Sequence, residues 1–132
     1  MTRLFFLFVL LPFLFSTALA APPTETWTGD PIILGKLSKG TLSKKVDEHR
    51  EDLWKCYTDE QSKSPKLFGK IVVKFVIKND GSVSSATTKA STMKNPLVER
   101  CLNETFLAMT FSAFDDGIVI ISQPFTFNPP SS

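Results

Sequence analysis

Side chains that carry chemistry are scarce in this chain of 132 residues, which holds one histidine, His49, one tyrosine, Tyr57, and two cysteines, Cys56 and Cys101. Any Ser-His-Asp, Cys-His or His-metal arrangement must therefore use His49. On a helix His49 would share a side with Cys56 but lie about 10 Å away along the axis, at ~1.5 Å per residue, outside hydrogen-bond reach. Flanked by Glu48, Arg50 and Glu51, it reads as the rim of an amphipathic helix. There is no glycine-rich phosphate loop, no Cys-x-x-Cys, no His-Glu-x-x-His and no calcium loop. Lys78-Asn79-Asp80-Gly81-Ser82 has too few acids for an ion cage and reads as a turn, as does Asp115-Asp116-Gly117. Asn103-Glu104-Thr105 fits a glycosylation acceptor but falls inside an expected helix and is taken as chance. No catalytic, cofactor-binding or metal-ligating residue is assigned, and the reading is of a non-enzyme.

An excess of charge is also missing. Fifteen basic residues face 13 acidic ones, and loss of Arg3 with a cleaved leader leaves 14 against 13, a net charge of +1. That balance gives no mandate for nucleic acid or membrane lipid. A bilayer-spanning run is missing as well. The apolar stretch after Arg3, interrupted by Pro12 and followed by Ala18-Leu19-Ala20, is short of the ~20 residues a span needs and has the pattern of a cleaved secretory leader. Residues 1–20 are assigned as that leader and 21–38 as an extended arm. Taking 20 from 132 leaves 112 residues, enough for one domain, placed over 39–130. No cysteine lies near the cleavage site, so a soluble periplasmic or secreted product is expected.

What is present is an alternating strand that ends in a turn. From Gly69 to Gly81, Ile71, Val73, Phe75 and Ile77 share one face, and Lys70, Val72, Lys74, Val76 and Lys78 share the other. Asn79-Asp80-Gly81 supplies the hairpin turn. Ser82 to Ser91 is its polar partner, irregular near Ser84-Ser85. Before it, Leu42, Val46, Leu53, Cys56 and Tyr57 mark an amphipathic helix from about Ser43 to Gln61, capped by Ser43. Asn95-Pro96 starts a second helix reaching Met109, with Cys101, Leu102 and Phe106 on its apolar side. Ile118 to Phe127 is the last strand, and Pro124, which cannot donate to a ladder, assigns it to an edge, or its side of the strand to solvent. The arm carries Trp27, free to dock, and Ile32 to Leu37 has the character of a small edge strand. The expected fold is α+β, two helices on one face of a three-stranded antiparallel sheet in the order α-β-β-α-β, with the first long strand central.

Two cysteines in an exported chain favour a disulfide between Cys56 and Cys101, both on apolar helix faces. A free buried thiol pair and a metal site are the competing readings, and two cysteines with one histidine fall short of the usual four zinc ligands. The stripe Lys70, Lys74, Lys78 reads as a solvated face that discourages sheet stacking. A docking face for an acidic partner or an anionic envelope surface, and a homodimer interface, are the alternatives.

Leu53-Trp-Lys-Cys56-Tyr57, Pro65 to Ile77, Asp80-Gly-Ser-Val83, Ser91-Thr92, Glu99-Arg-Cys101-Leu102, Phe111 and Pro124-Phe-Thr-Phe127 together resemble the AgmX/PglI carboxy-terminal domain, a cysteine-bearing relative of the TonB carboxy-terminal fold. The match spans roughly residues 40 to 128 and carries over Cys56, Tyr57, Cys101, Gly69 and Gly81 as structural positions. It implies a periplasmic protein-protein interaction module of the Gram-negative cell envelope, in the company of gliding-motility or TonB-like transport systems, that pairs a sheet edge with an extended partner. The edge it indicates is Gln123, Pro124, Phe125, Thr126 and Phe127. The chain departs from the energy-transducing relatives in lacking a retained anchor and a long Pro-rich spacer. The alternative is a structural envelope protein that binds anionic surface polymers through Lys70, Lys74 and Lys78.

Overall fold

Alternation in the stretch from Gly69 organises a four-stranded antiparallel sheet in the computed structural model, which describes residues 27–129. The leader assigned to 1–20 and the start of the arm lie outside the described residues. Strands β1 (Ile32–Leu34), β2 (Gly69–Lys78), β3 (Val83–Ser91) and β4 (Ile118–Phe127) lie in the order β1-β4-β2-β3. Helices α1 (Lys39–Glu48), α2 (Arg50–Gln61) and α3 (Pro96–Leu107) accompany them. Ile71, Val73, Phe75 and Ile77 are fully buried, and β2 pairs along its whole length with β4, from Gly69 opposite Phe127 to Lys78 opposite Ile118. β2 is central, as its composition requires, and α3 carries the chain from β3 back across it to β4.

The α+β class holds, but the counts of three strands and two helices do not. The first helix is two. Ser38, not Ser43, caps it, its hydroxyl accepting from the Thr41 N–H at 3.1 Å, and Gly40 lies inside its first turn. At His49 the backbone turns to φ −105° and its N–H donates to Val46 at 3.1 Å, one residue short of an α-helical bond. The break re-aims the chain so that Leu42, Val46, Leu53 and Tyr57 all reach one core. The fourth strand is β1, whose three residues pair with Ile120, Ile121 and Ser122 of β4. The irregularity expected at Ser84-Ser85 is a register shift between Val76 and Ile77.

Hairpin geometry depends on one glycine. Gly81 has φ +91°, and a β-carbon there would collide with the Phe111 carbonyl oxygen. The Gly81 carbonyl in turn accepts from the Phe111 N–H at 2.8 Å, joining the β2–β3 turn to the segment after α3. Asn95 caps α3, its side-chain oxygen accepting from the Leu97 and Val98 N–H groups. Between helices and sheet lies an aromatic layer in which Phe75 stacks on Phe106 at 4.5 Å and Tyr57 on Phe127 at 4.9 Å.

The Cys56 and Cys101 sulfurs are 1.99 Å apart, a disulfide that joins α2 to α3. It closes a loop across a sequence separation of 45, which stabilises by about 4 kcal/mol in the chain-entropy view. Replacing both cysteines by alanine is expected to lower the thermal midpoint by roughly 15 to 30 °C, at about 4–8 °C per kcal/mol for a domain of this size. A scanning-calorimetry shift of a few degrees would show that the bridge constrains little.

Burial raises the Tyr57 pKa above its ordinary 10.0, because the ionised phenolate is disfavoured where its hydroxyl donates to the Leu67 carbonyl at 2.5 Å. With the folded value raised, stability is unaffected below pH 10 and falls as the pH climbs from there toward the folded value. Tyr57→Phe should cost about 0.5–1.5 kcal/mol near neutrality and remove that alkaline decline, read by urea unfolding across the alkaline range.

Candidate functional site

Where the sequence placed a free edge, the chain has closed one. Backbone along 27–34 runs antiparallel to β4 on its outer side. The Thr126 N–H donates to the Trp27 carbonyl at 2.7 Å and the Gly29 N–H to the Pro124 carbonyl at 3.0 Å, with Thr28 bridging Phe125. Beyond them β1 continues the pairing down to Ile120. The segment Gln123, Pro124, Phe125, Thr126, Phe127 therefore presents no open ladder. Phe125 and Phe127 are fully buried and Gln123 nearly so.

Pro124 faces this strap with the side that lacks a donor, so the Gly29 carbonyl would go unmet. The neighbouring Gln123 supplies what is missing. Its side-chain amide nitrogen donates to the Gly29 carbonyl at 3.1 Å and to the Pro124 carbonyl at 3.0 Å. β4 is therefore interior and not the edge that Pro124 marked, because the donor the proline lacks is supplied by the side chain of the adjacent, nearly buried Gln123. Trp27 anchors the start of the strap, 5.2 Å from Phe125 and 5.7 Å from Trp54. Asp30 fixes its middle through Lys39 Nζ at 2.6 Å, a hydrogen bond and charge that hold this exposed carboxyl below its ordinary 3.8.

Among the described residues no helix covers the opposite face of the sheet. Register places Lys70 beside Thr126, Lys74 beside Ser122 and Lys78 beside Ile118 on it, and all three lysines are exposed. Lys89 adds a fourth, its ammonium donating to the Ser122 hydroxyl at 3.4 Å. Beside them lie aliphatic side chains that the sequence reading left aside: Ile32, Leu34 and Ile118 are 59%, 60% and 54% exposed. Ile32 stands opposite Ser122 and Leu34 opposite Ile120, so β1 extends the lysine face with an apolar margin.

A separate open groove of about 500 Å³ runs between α2 and α3, lined by His49, Asp52, Asp59 and Glu104 with Cys56 and Cys101 at its floor. His49 thus shares a groove with the disulfide, and the sulfurs are spent on each other. Thr105 lies against this floor, its hydroxyl donating back to the Cys101 carbonyl at 2.8 Å. Among the described residues no group of three or more His, Cys, Asp or Glu could hold a metal ion. No helix among them is long and apolar enough to cross a membrane.

No protein-family profile, no curated protein and no solved structure matches the chain. The likeness to the AgmX/PglI domain accordingly rests on the residues quoted for it.

If the Gln123 amide stands in for the absent Pro124 N–H, Gln123→Leu should destabilise by about 1–3 kcal/mol, the cost of an unmet buried carbonyl. Adding Pro124→Ala, which restores a backbone donor, should recover part of that loss, whereas Pro124→Ala alone should not. Urea unfolding of the three variants measures this, and equal stability of Gln123→Leu and the double variant would refute the substitution of one donor for the other.

Proposed function

We propose that the chain is a non-enzymatic protein-protein interaction module of the cell envelope, exported to the periplasm, with the TonB-like α+β architecture that the sequence resemblance implies. The single observation that carries this reading is the uncovered sheet face, on which exposed Ile32, Leu34 and Ile118 adjoin Lys70, Lys74 and Lys78. Apolar side chains held in water on a rigid sheet are a standing cost unless a partner covers them. Their basic neighbours favour a partner that is acidic and partly apolar.

Edge pairing moves outward in this reading, from β4 to β1. β1 is the free margin on that side, and a strand added there would extend the sheet across Ile32 and Leu34. β3 is the other margin, but its two register shifts break the regular spacing of donors and acceptors that strand addition needs. The link to gliding-motility or TonB-like transport systems follows from the resemblance alone.

A second reading has its own support. Lys70, Lys74, Lys78 and Lys89 share one uncovered face, which suits a structural protein that binds lipopolysaccharide or cell-wall polyanions.

Crosslinking in the periplasm followed by purification of the tagged chain separates them. Ile32→Asp with Leu34→Asp should abolish a specific crosslinked protein while shifting stability by no more than about 0.5 kcal/mol, as befits exposed positions. A crosslinked protein that persists in this variant, or none at all, would remove the leading reading. Salt-sensitive binding to polyanion that disappears on changing Lys70, Lys74 and Lys78 together to Glu would establish the second.

A further inference from the structure

Gln123 is the one polar side chain that β4 turns toward the helices. Val119, Ile121, Phe125 and Phe127, of the same parity, are buried in the core, and Gln123 itself is 3% exposed. Its amide nitrogen spends both hydrogens, on the Gly29 and Pro124 carbonyls. Those two acceptors fix which end of the amide is nitrogen. The side-chain oxygen is left over, and no donor among the described residues meets it. Among these residues the fully enclosed side-chain atom without a partner is the Asn103 oxygen, so the Gln123 oxygen is not sealed in. Gln123 forms part of the wall of a cavity of about 220 Å³ between the strap and α1. An acceptor on so deeply buried a side chain, beside space equal to about seven waters of liquid, is placed to receive a donor.

α1 supplies the facing wall. Ser43, Val46 and Asp47 stand three and four positions apart and share the helix face toward the strap. Val46 is nearly buried and makes that wall partly apolar, and Pro31 adds an apolar surface from the strap. The charges are unbalanced. Asp30 and Asp47 line the cavity against Lys39 alone, which leaves one negative charge. Lys39 is committed to Asp30 at 2.6 Å, and no ion pair among the described residues engages Asp47. The cavity thus offers an unmet carboxylate and an unmet amide oxygen, and it already seats one primary ammonium, the chain's own.

We infer that this cavity is a binding site for a small primary ammonium, with the Gln123 Oε1 and the Asp47 carboxylate accepting from its N–H groups and Val46 and Pro31 packing on its short alkyl stem. An ammonium brings three donors and no acceptor, which is what the unmet groups require. A free alkylamine and a lysine side chain on another protein share that chemistry. The site lies on the helix side of the strap, apart from the lysine face and the β1 margin, so it goes beyond the protein-binding reading and does not depend on it.

Nuclear magnetic resonance of the disulfide-bonded chain titrated with n-butylammonium chloride tests it, because Gln123 and Gln61 are the chain's two glutamines and the second serves as control. The Gln123 side-chain amide signals are expected to shift and to saturate at about millimolar concentration, the range open to so small a ligand, while those of Gln61 stay in place. Tetramethylammonium, a cation without N–H donors, and n-butanol, a donor without charge, should move neither. Asp47→Asn should weaken binding roughly fivefold, an exposed carboxylate's share. Lys39→Met, which removes the competing ammonium and frees Asp30, should strengthen it by about the same factor. Ser43→Phe, at an exposed position whose ring would fill the cavity, should abolish binding with the fold retained in the remaining signals. Asp52→Asn, in the groove between α2 and α3, should change nothing. Nα-acetyl-lysine amide tells the two sources apart: binding equal to that of butylammonium supports a lysine side chain, binding of butylammonium alone supports a free amine, and both uphold the site. No saturable shift with either amine, which would mean an ordered water only at Gln123, would overturn the assignment. An equal response to tetramethylammonium, or binding lost in Lys39→Met, would do so too.

Discussion

The ten-residue antiparallel pairing of β2 with β4 is the constraint from which the remaining architecture follows. β2 precedes β3 through a tight turn, so β3 must take one side of it, and β4 is left with the other. The chain can reach that side only by crossing β2, and α3 makes the crossing over the face where Ile71, Val73, Phe75 and Ile77 demand cover. α2 packs beside α3, and the disulfide ties the two helices together over that face. Among the described residues the other face is left without a helix, because α1, α2 and α3 all contribute to the core on the first. An open lysine-bearing face is thus a consequence of the core, before it is an adaptation to anything.

Strap and core are joined through one aromatic cluster. Trp27 lies on Phe125 and Phe127, Trp54 meets Trp27 edge-on, and Tyr57 stacks on Phe127. Each pair adds about 0.5–1.5 kcal/mol beyond the area it buries, so the first described residue of the chain is bound into the same layer as the middle of α2 and the end of β4. A strand held this way cannot be displaced from β4 without uncovering Phe125 and Phe127. That is why edge binding, if β1 is its site, is better served by adding a strand outside the strap than by expelling it.

What the sequence made legible were features set by local rules. The parity of β2, the glycine of its turn, the Asn95 cap, the disulfide pairing and the bulge near Ser84 all depend on residues within a few positions of one another, or on a count of two cysteines that admits one pairing. What it hid depends on distant partners. The apolar run from Ile32 did announce a small edge strand, but its partner β4 lies almost ninety positions away, so no local period could place it in the sheet as a fourth strand. The helix break at His49 leaves the heptad spacing of Val46 and Leu53 intact, and a periodicity argument runs straight through it. Pro124 carried a true signal about its own nitrogen and a misleading one about its neighbour, because its missing donor is made good by a side chain one residue earlier. The candidate surfaces were half visible: Lys70, Lys74 and Lys78 stood out by alternation, while Ile32, Leu34 and Ile118 are apolar residues that a sequence reading assigns to the interior by default.

Those exposed side chains are tolerable because the frame under them is rigid. A domain of this size has only a modest core, and exposed Ile, Leu and Phe invite association through partly opened states as much as through the native surface. The disulfide shrinks the open ensemble by closing the loop from α2 to α3, and Tyr57 and Gly69 fix the segment that presents the exposed Phe68. The lysines beside each apolar group oppose self-stacking of like-charged faces while leaving an anionic partner welcome. Basic residues around exposed apolar ones therefore serve two ends with one arrangement: they keep copies of the chain apart, and they select the sign of whatever covers the surface.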